Sequence, residues 1–256
     1  MTTRKDVNEN MRKGEAFVQR AKEEGAEWIL FPENLPFVGR DREKLVFAQS
    51  LDGDYVKEFT KWAVDAKAWI TIGAFPERAT KTHTYNTQLT ISPKGELVCV
   101  YRKIHLFDVE LETLKIKESD SILPGKDLKV MELGSFSVGC SICYDLRFPE
   151  MYRKLVDMGA NVLIVPSAFT KKTGAAHWHA LLRARAIENQ AYVIAPNQVG
   201  NHFGNRWSFG GSVVYDPWGE ELLNAGEEEG VFCTEISLER VNAIRREMPV
   251  LKHRVF

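Results

Sequence analysis

Two rhythms of apolar and polar residues run along the 256-residue chain, and the changes of rhythm mark its elements. Residues 8–24 place Met11, Ala16, Phe17 and Ala21 at helical spacing and stop at Gly25, which predicts a first amphipathic helix. WILF at 28–31 is a short, wholly apolar strand stopped by Pro32. Residues 54–66 read as a helix and 68–75 as a strand, and 84–106 read as two strands joined at Pro93-Lys94-Gly95. Further on come strand 135–142, helix 149–158, strand 161–166, helix 176–190 and strand 191–196. Strand-like pieces near 210–216 and 230–235 and a last helix at 237–246 complete the series.

Strands alternate with helices, yet several strands are consecutive. That mixture predicts an α/β chain of two stacked sheets with helices outside rather than one purely parallel sheet. A length of 256 residues suits one large domain or two small ones. With 34 basic against 35 acidic residues the formal net charge is −1, so bulk charge gives no reason to expect nucleic acid or an anionic membrane as a partner. No apolar run approaches the roughly 18 residues of a membrane span, and the opening residues lack the basic-then-apolar order of a signal peptide. Cys99, Cys140, Cys143 and Cys233 are too few and too scattered for a disulfide scaffold, so a reduced, cytoplasmic setting is expected.

The segment GCSICYDLRFPE (139–150) carries the chemical question. Cys140 and Cys143 are an odd number apart and would face opposite sides of a strand, and no second ligand pair at compatible spacing accompanies them, which argues against a metal clip. A thioredoxin-like pair normally opens a helix, whereas here the strand runs through the motif. Cys140 reads as an inert core residue. Cys143 instead ends the strand, and Phe148-Pro149-Glu150 then opens a helix. Such a strand–turn–helix elbow presents a nucleophile with backbone N–H groups beside it to hold an oxyanion. A free thiol is only a few per cent thiolate at neutral pH and needs a base or a cation. Glu33 follows the strand WILF, in FPEN, and Lys103 ends the strand LVCVYRK. Singly, Glu33 also reads as a loop carboxylate and Lys103 as a strand-end cation with a buried stem. Spacing alone does not establish the trio.

FPEN around Glu33, YRKIHLFD around Lys103 and CYDLRFPE around Cys143, in this order, resemble the carbon–nitrogen hydrolase (nitrilase) superfamily, and the resemblance spans about residues 5 to 253. Together with 166–200 and VYDPWGE (214–220), these segments look most like its Nit branch, the deaminated glutathione amidases, with omega-amidases as close cousins. The resemblance implies a single domain over 1–256 with a four-layer α-β-β-α sandwich. It implies Cys143 as nucleophile, Glu33 as general base, Lys103 as the cation at the oxyanion with the Tyr144 backbone N–H, and no metal or cofactor. A family glutamate shortly before a Pro-Gly matches Glu118 in KESDSILPG; Glu110 and Glu112 lie nearer Lys103 but lack that context.

The implied substrate is a small amide bearing a carboxylate, so the pocket should hold a cation. Arg147 is the candidate, against an ion pair with Glu150. Phe169 is a candidate pocket wall, and Lys171, Lys172 and His177 fall where the family's pocket-lining loop runs; core, surface and helix-start packing are the alternatives. Arg183 and Arg185 are expected to pair with acids such as Glu188. The family's usual assembly implies a homodimer or higher homo-oligomer, and ALLRARAI carries an apolar face able to make one. Relatives begin with a short apolar strand before the first helix and end with a short tail; here the chain starts at Met1-Thr2-Thr3 and stops at Phe256, so that first strand is expected to be absent and a sheet edge or groove exposed. Three functions stay open: an amidase of the Nit branch, another carbon–nitrogen hydrolase (omega-amidase, N-carbamoyl amine hydrolase or nitrilase), or a non-catalytic binding relative.

Overall fold

A strand buried on both faces must be apolar on both, and WITIGAFPER is the segment that meets this demand. It forms β2 (Trp69–Arg78), with eight consecutive buried positions, inside a four-stranded sheet. The computed structural model describes residues 1–111 and 114–255. In the first sheet β1 (Trp28–Leu30) runs parallel to β2, which pairs antiparallel with β3 (Thr84–Ile91), itself antiparallel to β4 (Leu97–Arg102). On its outer side lie α1 (Val7–Glu23) and α3 (Asp54–Ala66), whose Val18, Phe59 and Trp62 share a core with Ile70, Ile72 and Leu89.

The second sheet has six strands. From one edge to the other they are β14 (Glu221–Asn224), β13 (Val213–Tyr215), β10 (Tyr192–Ala195), β9 (Val162–Ile164), β8 (Phe136–Cys140) and β7 (Val130–Leu133). The centre β8-β9-β10 is parallel and the edges are antiparallel. Its outer helices α4 (Pro149–Asp157) and α5 (Lys171–Asn189) bury Tyr152, Leu155, Trp178, Leu182 and Ala186. Ala74, Cys99 and Tyr101 of the first sheet join this second core, so the sheets stack with helices outside, as the order of elements implied. Two hairpins stand apart from the sheets: β5 (Asp108–Leu111) with β6 (Leu114–Lys117), and β11 (Val199–Phe203) with β12 (Arg206–Phe209). A short helix α2 (Asp41–Phe47) and a last helix α6 (Leu238–Glu247) complete the chain's helices among the described residues.

Several expectations need correction. Of the residues expected to form the buried stripe of α1 only Ala21 is fully buried, together with Asn10, Gly14 and Val18; Met11 and Phe17 are partly buried against the same core and Ala16 is exposed. A Cβ at position 14 would come within 2.9 Å of Trp62, so the helix approaches its neighbour along the small residue rather than the large ones. Helix α5 begins five residues earlier than expected, because the Thr170 side chain accepts from the Thr173 N–H (3.4 Å) and caps it. No strand forms at 230–235. The partner edge on β13 is taken by β14, because the Asp216 carboxylate accepts from the N–H groups of Trp218 (2.9 Å) and Glu220 (2.8 Å) and turns the chain straight back. Residues 1–6 form no strand. Yet Met1 and Thr3 are buried: the Met1 carbonyl accepts from Val199 N–H (3.1 Å), and Thr3 N–H donates to Gln198 (3.0 Å).

His202 on β11 pins that segment, with Nδ1 2.7 Å from the Thr3 carbonyl oxygen and Nε2 2.8 Å from Ser208 Oγ. Burial, reinforced by the positive charges of Arg206 and Arg4, pulls its pKa down to about 4. The unfolded chain, with an ordinary histidine, therefore binds more protons between those values. The stabilisation by neutral His202 is complete above about pH 6.5 and fades as pH falls toward 4. Denaturant unfolding of wild type and His202→Gln should diverge in pH slope, with wild type losing about 2 kcal/mol more between pH 7 and 5. Parallel slopes would remove His202 as the source.

Candidate active site

The carboxyl ends of strands from both sheets meet at one end of the sandwich, where open α/β sheets commonly bind ligands. Glu33 lies three residues past β1, Lys103 directly follows β4, and Cys143 lies three past β8. All three line one pocket, together with Glu118, Tyr144 and Arg147. Its free volume is ≈ 30 Å³, and Ala168, Thr170 and Arg206 on its wall also border a wider cleft of ≈ 340 Å³.

Cys143 has φ 48°, a left-handed conformation that a non-glycine residue adopts at a cost of about 1–3 kcal/mol. Its own N–H donates to the Pro166 carbonyl (3.0 Å), and a short 3-10 turn, Cys143–Arg147, follows. The strand stops at Cys140, three residues earlier than the thiol; the residues between them carry the chain out to the elbow. No carbonyl among the described residues accepts from the Tyr144 N–H, which leaves it available beside the thiol. Asp145 fixes the turn. Its buried carboxylate accepts from Ile142 N–H (2.9 Å), the Tyr101 hydroxyl (2.6 Å) and His105 N–H (3.0 Å), with His105 Nδ1 at 2.7 Å. One carboxylate thus ties β4, the loop after Lys103 and the elbow together. Arg185 of α5 adds a brace through the Leu146 carbonyl (2.9 Å).

Lys103 is fully buried, with Nζ 2.9 Å from Glu118 Oε2 and 3.3 Å from Glu33 Oε1. Burial alone would pull the ammonium's pKa down, but Glu118 and Glu33 outweigh it and hold it well above the usual lysine range. Burial pushes the Glu118 carboxyl up; Lys103, Lys44 and the Phe107 N–H (2.8 Å) outweigh that and leave it below the usual carboxylate range. Glu33 accepts from Asn86 Nδ2 (2.6 Å) on Oε1 and from the Ala168 N–H (2.9 Å) on Oε2. The Cys143 thiol is pushed far up, first by burial and then by the negative charge of Glu33, against the pull of Lys103. At rest the proton therefore sits on sulfur.

Two glycines make these approaches possible. A Cβ at Gly73, where β2 shifts register against β3, would overlap the Phe31 carbonyl oxygen leading into Glu33 and come within 2.5 Å of Pro166. A Cβ at Gly125 would overlap the Arg102 carbonyl, and the Gly125 N–H donates to the Lys103 carbonyl (2.8 Å). The Pro-Gly after Glu118 is thus a contact with the lysine's own backbone.

The remaining candidates separate. Arg147 lines the pocket with its guanidinium 5.3 Å from the Phe169 ring and 5.7 Å from the Tyr144 ring, and Nη1 3.3 Å from His177 Nδ1; it makes no ion pair with Glu150 among the described residues. Phe169 is both wall and core, 4 % exposed and 4.9 Å from the Trp178 ring. His177 touches Arg147 but does not line the pocket. Lys171 sits on the first turn of α5 rather than on a loop; it lines an adjoining cleft and lies 3.6 Å from Glu227. Trp178 donates to the Gly211 carbonyl (2.7 Å), and His179 contacts the Tyr215 hydroxyl (3.1 Å), both packing roles. Arg185 pairs with Glu188 (2.9 Å) as expected, whereas Arg183 donates to the Gly219 carbonyl (2.7 Å) instead of pairing with an acid. Glu110 stands on β5 away from the pocket lining, and Glu112 lies outside the described residues. Cys140 is a core residue, its sulfur 3.9 Å from that of Cys99 across the two sheets.

Sequence reasoning missed Asn86, Asp145 and Arg206. Asp145 carried a usable signal, an acid between Tyr144 and Leu146 that must find buried partners, whereas Asn86 lies in the mixed stretch TYNTQLTI, where nothing singles it out. Arg206 follows Gly204-Asn205 between His202-Phe203 and Trp207, a hairpin signal left unread.

This pocket at the meeting of two sheets is that of a carbon–nitrogen hydrolase: the family model described as "Carbon-nitrogen hydrolase" matches residues 1–246, and the chain belongs to that family. Membership makes it an enzyme that hydrolyses a carbon–nitrogen bond. Within the family the chain is 41% identical over 261 residues to the deaminated glutathione amidase of Synechocystis, covering 100% of this chain and 96% of the relative. It is 38% identical to the human deaminated glutathione amidase, covering 99% of this chain and 80% of that one. The C. elegans NitFhit structure superposes with a TM-score of 0.94 at 36% identity, covering all of this chain and 63% of the NitFhit chain. Saccharomyces cerevisiae Nit3, a member of branch 10 of the nitrilase superfamily, matches with a TM-score of 0.91 at 29% identity, covering 100% and 94%.

A small neutral alkylator such as iodoacetamide, with site-resolved mass spectrometry, should modify Cys143 at least about tenfold faster than Cys140. Equal rates would contradict an accessible elbow.

Proposed function

We propose that the chain is an amidase that cleaves its substrate through a Cys143 thioester, and that its substrate is deaminated glutathione, converted to 2-oxoglutarate and cysteinylglycine. The observation that carries this reading is the convergence of Glu33, Lys103 and Cys143, from distant parts of the chain, on one pocket with the free Tyr144 N–H. The 41% and 38% identities to deaminated glutathione amidases support the substrate.

Because burial and Glu33 keep the thiol protonated, attack and proton transfer go together: Glu33 takes the proton as Sγ bonds to the amide carbon. The carbonyl π electrons move to oxygen, where Lys103 Nζ and the Tyr144 N–H stabilise the oxyanion. As the oxyanion collapses, the C–N bond breaks and Glu33 passes its proton to the departing amine, leaving a thioester. Glu33 next takes a proton from water as the water attacks. The second collapse expels the thiolate, which recovers the proton, and frees the acid. Glu118 is a positioning residue that holds Lys103 charged and in place. Arg147, the guanidinium at the pocket wall, pairs with the acyl half's carboxylate, a bond suited to its planar fork. Phe169 walls the acyl chain, and His177 orients Arg147.

We further propose one catalytic domain over the whole chain, acting in the cytoplasm as a homodimer or higher homo-oligomer. Exposed Met158, Ile187 and Trp218 supply apolar surface beside α4 and α5 for the assembly. Among the described residues no helix is long and apolar enough to cross a membrane.

A panel of deaminated glutathione, 2-oxoglutaramate, an N-carbamoyl amine and a nitrile tests the reading. Deaminated glutathione should give the highest kcat/KM and no ammonia, and the nitrile should not turn over. Cys143→Ala should lose at least about 10³-fold in kcat. Glu33→Gln should form no thioester in a rapid-mixing experiment, and rapid acylation of that variant would remove Glu33 as base. Retained activity in the alanine variant, or a preference for the carbamoyl amine, would overturn the reading.

A further inference from the structure

Arg206 opens β12, and its side chain borders two cavities at once. It lines the reaction pocket with Cys143 and Arg147, and it also lines the adjoining cleft of ≈ 340 Å³. Arg206 is half-buried, and among the described residues its guanidinium makes no hydrogen bond or ion pair. A guanidinium losing part of its hydration without a partner is held at a cost. The lining of the cleft deepens that imbalance: among the described residues it holds Lys171, Lys172 and Arg206 and no acid. Glu227 approaches Lys171 at 3.6 Å from the rim, but that carboxylate is 71% exposed and screens little. The side chain of Trp207, 48% exposed, adds apolar surface beside the cations.

The chemistry fixes which half of a substrate belongs in each cavity. The acyl half stays bonded to Sγ after the first collapse, so it must share the small pocket with Cys143 and Arg147. The amine half must depart before water attacks, so it belongs on the wider side, past Ala168 and Thr170, which both cavities share. We propose that Arg206, with Lys172 beside it, is an anion subsite for the leaving half, binding a carboxylate carried by the amine product. This rests on the thioester reading above and deepens it: the preferred substrates are amides anionic at both ends, one carboxylate on the acyl half at Arg147 and a second on the leaving half at Arg206. Deaminated glutathione has this form, with the glycine carboxylate of its cysteinylglycine half as the second anion. Ammonia, the leaving half of 2-oxoglutaramate, has nothing to place there.

The measurement is a specificity ratio, kcat/KM for deaminated glutathione over kcat/KM for 2-oxoglutaramate, which share one acyl half. Arg206→Gln should lower that ratio about 10- to 100-fold, the worth of a hydrogen bond to a charged group. Arg206→Lys should recover part of it. Deaminated glutathione with its terminal carboxylate converted to the carboxamide should already be disfavoured by wild type to a similar extent. A ratio unmoved by Arg206→Gln, or a fall equal for both substrates, would overturn the subsite while leaving the amidase reading intact. Wild type acting on 2-oxoglutaramate but not on deaminated glutathione would overturn both the substrate reading and the subsite.

Discussion

An ammonium ion with almost no water around it, held between two carboxylates, is the interaction on which the chemistry proposed for this protein depends. Lys103 is 1% exposed, and removing such a charge from water costs several kcal/mol unless partners compensate. Glu118 and Glu33 do so, and each carboxylate has further donors in turn: Phe107 N–H for Glu118, and Asn86 and the Ala168 N–H for Glu33. With Cys143 as thiol, the formal charges of Glu33, Glu118 and Lys103 sum to −1. Moving a proton from sulfur to Glu33 leaves the net charge of the four groups, Cys143 included, at −1. The negative charge then moves from the carboxylate to sulfur, and Lys103 stands beside both, a fixed cation in place before and after the transfer.

The fold supplies this cluster through close approaches rather than through flexible loops. Strand ends deliver Glu33, Lys103 and Cys143, and missing side chains at Gly73 and Gly125 let the backbone beside Glu33 and Lys103 pack against its neighbours. Asp145 then couples the parts. By accepting from Tyr101, His105 and Ile142 it makes the thiol's elbow and the lysine's loop one hydrogen-bonded unit. A residue that touches neither sulfur nor ammonium thereby sets their relative position.

The positions of the candidate residues were more legible in the sequence than the architecture around them. Motifs around Glu33, Lys103, Cys143 and Glu118 sit at strand ends, and strand ends are what apolar runs mark best. What stayed hidden depends on which segments meet. The stripe of α1 turned on a contact between Gly14 and Trp62, which spacing within one helix does not encode. The run near 230–235 looked like a strand, yet it pairs with none, and the neighbour of β13 is β14 instead. Lys171 looked like a loop residue because the capping role of Thr170 went unread, and Arg206 was invisible because its hairpin lies outside both sheets.

Glu33 and Lys103 hang from one sheet and Cys143 from the other, with Cys99 and Cys140 in contact between them. The site thus straddles the seam of the sandwich. Either layer taken alone, with every strand paired and every helix docked, would lack part of the proposed machinery, because the thiol belongs to one and the carboxylate and ammonium to the other. Slippage of one layer against the other would silence the enzyme while its secondary structure stayed whole, so turnover reports on the alignment of the layers more directly than it reports on folding.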